Sequence, residues 1–268
     1  MGQLAGKTAV VLGAAGHGNM GQVIARRFAH EGAQVVVAGR HEEELAALAA
    51  SIGGRHVVCD ITIEADVHAL AEKALAGNGH VDVAVNATGW GLLKPFLETT
   101  HDELTRMNAL QFIGPYQFFQ AMIGAMLATG GSLIQISSAT ATIMLNDHAA
   151  YMGTKAGIDH VIRCIAHEFG AKGIRANSIS PGLTATPMTA QAQATPGLFD
   201  AFLPSYPLGR VGTSDDIAAA AVWLAADDCF MTGQNLQVNG GLTLRGNPTS
   251  QAISTSVMAA MARSQSAG

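Results

Sequence analysis

Short apolar runs alternate with longer helical patterns along almost the whole chain, and this alternation restricts the fold more than any other feature. The runs at 8–12, 34–38, 56–59, 81–85, 132–137, 175–179 and 235–238 are the strand candidates, rich in Val, Ile and Leu. Helix patterns at 21–31, 42–51, 64–76, 102–128, 151–171 and 214–226 lie between them. In the helix at 151–171, Ile158, Val161, Ile162, Ile165, Ala166 and Phe169 recur with a 3.6-residue period. Strands buried on both faces and joined by helices form a parallel, doubly wound α/β sheet, here of about seven strands with helices on both faces. No repeat and no linker divides the 268 residues, so 1–268 reads as a single domain for both binding and chemistry.

Composition narrows the function classes. A net charge of -5 gives no basic footprint for nucleic acid or an anionic membrane. No stretch is long and apolar enough for a membrane span. Cys59, Cys164 and Cys229 are odd in number and far apart, so no disulfide framework is indicated and a reducing, cytoplasmic setting is expected. The ten histidines show no metal-ligand spacing, and His160 and His167 read as surface or packing residues, so no metal is expected. Only 13% of residues are charged, which points to subunit contacts over part of the exterior.

The first strand runs into GAAGHGNMGQVIARRF. Glycines here let the backbone turn sharply, and the helix opening near Gly21 offers unpaired N–H groups to an anion. A dinucleotide pyrophosphate is the natural occupant of this Rossmann-like turn, with Gly13, Gly18, Asn19, Met20 and Gly21 as its contacts. The second strand ends at Ala38 and Gly39 without an acid for a ribose diol, and Arg40 follows. A guanidinium there suits a 2′-phosphate, so NADP(H) is expected over NAD(H); a solvated Arg opening the next helix is the other reading.

Tyr151 and Lys155 stand one helical turn apart in YMGTK. With their neighbours they make the chain, from Gly6 to Thr243, resemble the short-chain dehydrogenase/reductase family, in general pattern most like 3-oxoacyl carrier-protein reductases. Ser138 lies thirteen residues before the Tyr, and Asn108 in MNALQFIG falls in the long helix after the fourth strand. The resemblance implies that Ser138 binds the substrate oxygen and that Asn108 holds a water linking Lys155 to solvent. It further implies that Asp60 holds the adenine amino group, with Ile61 beside it. Pro181, Gly182, Thr184 and Thr186 in SPGLTATPM would hold the nicotinamide, and Asn86, Ala87 and Gly89 the cofactor side of the fourth strand. TGQNLQVNGG is similar to the family's closing strand, and a homotetramer pairing the helices at Asp102 and Tyr151 and the last strands is implied as well.

Carbonyl reduction needs a hydride on carbon and a proton on oxygen. Tyr151 is the expected proton donor in reduction and acceptor in oxidation. Lys155, together with the positive nicotinamide of the oxidised complex, should lower the phenol pKa, and by resemblance Lys155 holds the nicotinamide ribose. Two departures stand out. The loop from Gly13 to Gly21 has a length similar to that of enoyl carrier-protein reductases, whose Tyr position is here His148. VNATG replaces the usual pair of Asn with Asn86 and Ala87. An enoyl reductase reaction and a catalytically silent NADP-binding protein are therefore the alternatives.

Trp90, Thr140, Leu145, His148, Leu183, Phe199, Phe202 and Tyr206 are the candidate substrate contacts, and core or lid packing serves each of them equally well. They are mostly apolar and include no cationic clamp, so a hydrophobic small-molecule ketone, secondary alcohol or 3-oxoacyl compound is expected. Residues 189–206 read as a substrate lid or a plain surface insertion, and 245–268 as a C-terminal extension packed against something.

Overall fold

The computed structural model describes residues 2–266, so the last two residues of the expected 245–268 extension lie outside the described residues. Its strands are β1 (Thr8–Leu12), β2 (Gln34–Gly39), β3 (Arg55–Val58), β4 (Val83–Asn86), β5 (Gly131–Ile136), β6 (Ile174–Pro181), β7 (Thr184–Ala185), β8 (Gly212–Thr213) and β9 (Asn235–Val238). Seven of them form one parallel sheet in the order β3-β2-β1-β4-β5-β6-β9, while β7 and β8 pair with each other outside it. The direction of winding reverses between β1 and β4, which opens a crevice at the carboxyl ends of the central strands.

The helices are α1 (Met20–His30), α2 (Glu42–Ile52), α3 (Glu64–Asn78), α4 (His101–Asn108), α5 (Gly114–Met126), α6 (Ala149–Phe169), α7 (Ala190–Ala194), α8 (Leu198–Phe202), α9 (Ser214–Ala225), α10 (Leu242–Arg245) and α11 (Ser250–Ser266). Alternating residues of each strand feed two cores. Val11, Val35, Val37 and Ile134 pack with Ile24 and Phe28 of α1, Leu45 of α2 and Ile217 of α9. Val10, Leu12, Val36 and Leu133 pack with Leu70 of α3, Phe118 and Met122 of α5 and Ile162 of α6. Each such fully buried side chain contributes about 1.5–3 kcal/mol, so the two-residue period of the strands fixes which face each helix must cover.

The expected single helix over 102–128 is instead α4 and α5 joined by a π turn at Ala109–Ile113. Pro115 has no N–H to give residue 111, and its ring would press on that carbonyl in a regular helix. The Gly114 N–H reaches back five residues to the Ala109 carbonyl, and the turn takes up one extra residue. Gly114 is required there because a Cβ would lie 2.5 Å from the Ile61 carbonyl oxygen.

The tail folds back on its own chain. Asn146 Nδ2 donates to Ser250 Oγ at 3.0 Å, and Ser256 Oγ donates to the Gly197 carbonyl at 2.7 Å. The first bond ties the start of α11 to the loop before α6, and the second holds α11 against the segment entering α8, where a Cβ on Gly197 would lie 2.5 Å from the Ser256 carbonyl oxygen. Ile253 of α11 joins a small core with Phe202 and Tyr206.

Candidate active site

The crevice is a cleft of about 450 Å³ running from Arg40 and Asp60 at one end to Tyr151, Lys155 and Thr186 at the other. Gly13, the last residue before the turn, has φ +98°, and a Cβ on it would lie 2.7 Å from the Ala87 carbonyl carbon. Glycine thus lets the ends of β1 and β4 close on each other. Asn19 then closes the loop: its Nδ2 donates to the Gly13 carbonyl and its Oδ1 accepts from Gln22 N, both at 2.9 Å. Gly13, Asn19 and Met20 line the cleft. Gly18 and Gly21 do not. Gly18 sits on the exposed outer turn with its N–H on Gln22 Oε1, and Gly21 is buried against Gly13, where a Cβ would lie 2.5 Å from the Gly13 oxygen.

Arg40, Asp60, Ile61, Ala87 and Gly89 line the same cleft. Arg40 is exposed and its Nη1 lies 3.9 Å from Asp60 Oδ2. Asp60 Oδ1 accepts from Thr62 N at 2.9 Å and Thr62 Oγ1 at 2.7 Å. Burial raises the Asp60 pKa, but these bonds and Arg40 outweigh it and the net shift is downward. Asn86 departs from its expected place: it is fully buried, donates to Gln135 Oε1 at 2.9 Å, and accepts from Thr88 N and Oγ1. It shapes the turn after β4 from beneath, and Thr88 takes the place on the cleft wall.

Tyr151, Lys155 and Ser138 converge on the cleft. A helix fixes the spacing of the first two, and Ser138 is delivered by the end of β5. The Lys155 ammonium is 5.6 Å from the centre of the Tyr151 ring and donates to the Ile136 carbonyl at 2.8 Å. Ser138 Oγ accepts from Thr140 N at 3.2 Å and lies 2.9 Å from Thr140 Oγ1. Lys155 by itself does not lower the phenol pKa. Burial pushes Tyr151 up to about 12; the Ser138 hydroxyl opposes that shift and Asp159 adds to it. Burial also brings Lys155 down to about 8, with Asp159 acting the other way. Desolvation exceeds the charge effect because the ammonium is spent on a carbonyl and itself buried.

Asn108 is corrected. It is exposed and lines a groove between α4 and α6 with His101 and Thr154, away from the cleft. The π turn changes the helix phase and brings Gln111 inward instead. Gln111 is 2% exposed, accepts the Trp90 N–H at 2.9 Å and donates to Thr154 Oγ1 at 3.0 Å. A Cβ placed on Gly89 would be 3.2 Å from Gln111 Oε1 and 3.8 Å from Lys155 Nζ, so the amide and the ammonium border one small space. The signal that could have found it is Gly-Pro at 114–115, since a Pro leaves the carbonyl four residues back without its usual partner.

Pro181, Gly182, Leu183, Thr184 and Thr186 line the cleft after β6, and Thr140, Leu145 and Phe202 line it as well. Four expected substrate contacts are absent from the lining. Trp90 lies under the Arg106 guanidinium, 4.3 Å from its ring centre. His148 stacks on the Tyr151 ring at 4.3 Å, and its Nδ1 must carry the proton because its partner at 2.7 Å is the Leu92 carbonyl. Burial lowers its pKa, which keeps it neutral as a wall behind Tyr151. Phe199 is half-buried on α8, and Tyr206 is buried behind Gly182 with its hydroxyl donating to the Leu183 carbonyl at 3.3 Å. Met188, Leu242 and Asn247 also line the cleft without having been foreseen, and no local pattern marks Asn247, which arrives there only because the tail folds back. Among the described residues no cluster of His, Cys, Asp or Glu could hold a metal ion, and no helix is long and apolar enough to cross a membrane.

A sheet with its crevice at a winding reversal and, at one end, a half-buried Tyr one turn before a buried Lys defines a nucleotide-binding oxidoreductase. Comparison with known proteins specifies the class. Residues 13–243 match the family model described as enoyl-(acyl carrier protein) reductase. The chain is 36% identical over 250 residues to D-threitol dehydrogenase of Mycolicibacterium smegmatis, covering 91% of this chain and 95% of that one. A short-chain type dehydrogenase/reductase from Mycobacterium ulcerans superposes with a TM-score of 0.89 at 28% identity, over 95% of this chain and 98% of that one. A gluconate 5-dehydrogenase from Burkholderia cenocepacia in complex with NADP and tartrate superposes with a TM-score of 0.85 at 28% identity, over 90% and 96%. The chain belongs to the short-chain dehydrogenase/reductase family and is an oxidoreductase acting on CH–OH groups of small molecules with a nicotinamide cofactor. The cleft fits that cofactor: glycine approach at Gly13, an acid and a cation at one end, and Tyr151 with Lys155 at the other.

Proposed function

We propose that the chain interconverts a fairly hydrophobic ketone or 3-oxoacyl compound and the corresponding secondary alcohol with NADP(H). The observation that carries this reading is the meeting of Ser138, Tyr151 and Lys155 at the opposite end of one cleft from Arg40. Ser138 Oγ orients the substrate oxygen, and the Tyr151 hydroxyl gives it a proton in reduction and takes one in oxidation. Lys155 holds its positive charge beside the phenol and contacts the nicotinamide ribose. The bound nicotinamide supplies or accepts the hydride. Gln111 stands where Asn108 was expected, bordering Lys155. Arg40 pairs with the 2′-phosphate, supported by the lack of an acid at the end of β2.

The substrate end is walled by Leu145, Leu183, Met188, Phe202 and Leu242, which favours an apolar substrate body. The spacing of Tyr151 and Lys155 favours carbonyl over enoyl chemistry. Residues 189–206 and α11 form the lid over this end. The exposed Leu104, Ile113 and Tyr116 of the α4–α5 rod and Trp223 of α9 support a homotetramer, and the free cysteines support a cytoplasmic setting.

The test follows reduced nicotinamide absorbance against ketones, enones and 3-oxoacyl thioesters. Ketone-dependent oxidation of NADPH that disappears in Tyr151→Phe, while NADPH still binds, is the expected result. Enone turnover without ketone turnover, or full activity in Tyr151→Phe, would overturn the reading.

A further inference from the structure

One buried charge is not used by the chemistry described so far. Asp159 lies one turn beyond Lys155 on the same face of α6 and is 6% exposed. Its Oδ2 accepts from Ser137 Oγ at 2.8 Å and from Asn235 Nδ2 at 2.6 Å. Its Oδ1 has no hydrogen-bond partner, and neither does the hydroxyl of Ser178, which is 1% exposed. An isolated buried carboxylate is costly, and so is an orphaned polar atom. The site is nevertheless built with care: Ser137 precedes Ser138 at the end of β5, Ser178 lies on β6, and Asn235 opens β9 in register with Ser178. Burial raises the Asp159 pKa, and Ser178, Ser137, Lys155 and Arg163 act against that shift; Lys155 and Arg163 of its own helix are the charged groups near it, while the strand ends present the neutral Ser137, Ser178 and Asn235.

We propose that Asp159 is a positioning residue: an internal anion, clamped to the strand ends by Ser137 and Asn235, that keeps Lys155 protonated in its buried place beside Tyr151. This rests on the proposed roles of Lys155 and Tyr151. Lys155 itself bonds the Ile136 carbonyl, which satisfies one N–H but supplies no negative charge. Asp159 is the buried carboxylate on that helix face, and its Coulomb interaction favours the charged amine.

The experiment is carbon-13 NMR of the intact chain with label at the lysine ε carbons. The sequence has five lysines, Lys7, Lys73, Lys94, Lys155 and Lys172, and Lys155→Met assigns the signal of interest. Asp159→Asn is expected to lower the Lys155 titration midpoint by about one pH unit, and Asp159→Glu to restore it to within a few tenths. An unchanged midpoint in a folded Asp159→Asn protein overturns the proposal. Should that variant not fold, labelled aspartate in the unaltered chain decides: an Asp159 side chain still protonated at neutral pH overturns the proposal, and an ionised one sustains it. These readouts need no substrate, so they separate this inference from the proposed reaction. If the reaction also stands, the alkaline limb of kcat moves down by the same interval in Asp159→Asn.

Discussion

The side-chain amide of Gln111 donates to Thr154 Oγ1 at 3.0 Å across the joint between the π turn and α6. Its other end accepts the Trp90 N–H, so one buried group links the turn after β4, the long helix and the catalytic helix. Thr154 precedes Lys155, and the link therefore sets the placement of the ammonium. Gln111→Leu should lower kcat by about 10–100-fold with a small change in cofactor affinity, at or below the low end of the roughly 10²–10⁴-fold that a direct proton-transfer group contributes. Asn108→Ala should leave kcat within about twofold. Steady-state kinetics on the two variants side by side decides between the two residues.

Lys155 carries the next prediction. Its pKa in the folded protein is lowered to about 8, so its charge is present below that pH and lost as pH rises through it. Reduction needs the charged form, and kcat for reduction should be level toward neutral pH and fall about tenfold per unit well above pH 8. A profile flat to pH 10 would exclude Lys155 as the group that limits turnover.

Arg40 decides the cofactor if the 2′-phosphate lies beside it. Removing a charge-assisted pair costs about 1.5–3 kcal/mol, or roughly 10–150-fold in affinity. Arg40→Asp should lower kcat/KM for NADPH by that order and raise it for NADH. An unchanged ratio would assign the exposed guanidinium to solvent.

Gly21 tests the packing of the loop. A Cβ there would lie 2.5 Å from the Gly13 carbonyl oxygen, a backbone atom with no rotamer to change. Gly21→Ala should cost about 1–3 kcal/mol, with a drop in Tm of about 2–4 °C for each kcal/mol in a chain of this size. Thermal unfolding followed by circular dichroism measures it. A matching Gly18→Ala should cost less: φ at Gly18 is +64°, which strains an alanine, but no atom stands within 4 Å of the added carbon.

What could be read from the sequence follows from how far each inference had to reach. The strands and both cores follow from a two-residue period and the facing helix stripes. Tyr151 and Lys155 were legible because one helix fixes their spacing. Asn108 was misplaced because a regular helix was assumed through Pro115, and one extra residue in the turn changes every direction before it. Gly18, Gly21 and Asn86 belong to the right segments but support the cleft wall from behind, and sequence cannot tell front from back in a loop. Trp90, His148, Phe199 and Tyr206 failed as cleft contacts for the same reason: each side chain's direction is set by partners distant in sequence, Arg106, Leu92 and Leu183 among them. The tail's helix presents mostly exposed residues, so it carries no strong apolar stripe and its place depends on a few contacts near Gly197.

The π turn at 109–113 has a consequence for how this chain can diverge. Each residue of a helix turns the chain by about 100°, so deleting one residue there would straighten the rod and swing α4 around its axis by about that angle. Gln111 would leave its pocket and the groove that Asn108 lines would be rebuilt, with no point substitution at either position. A single-codon deletion in this segment would therefore take an amide away from Lys155 and, in the same event, re-aim a whole face of the rod.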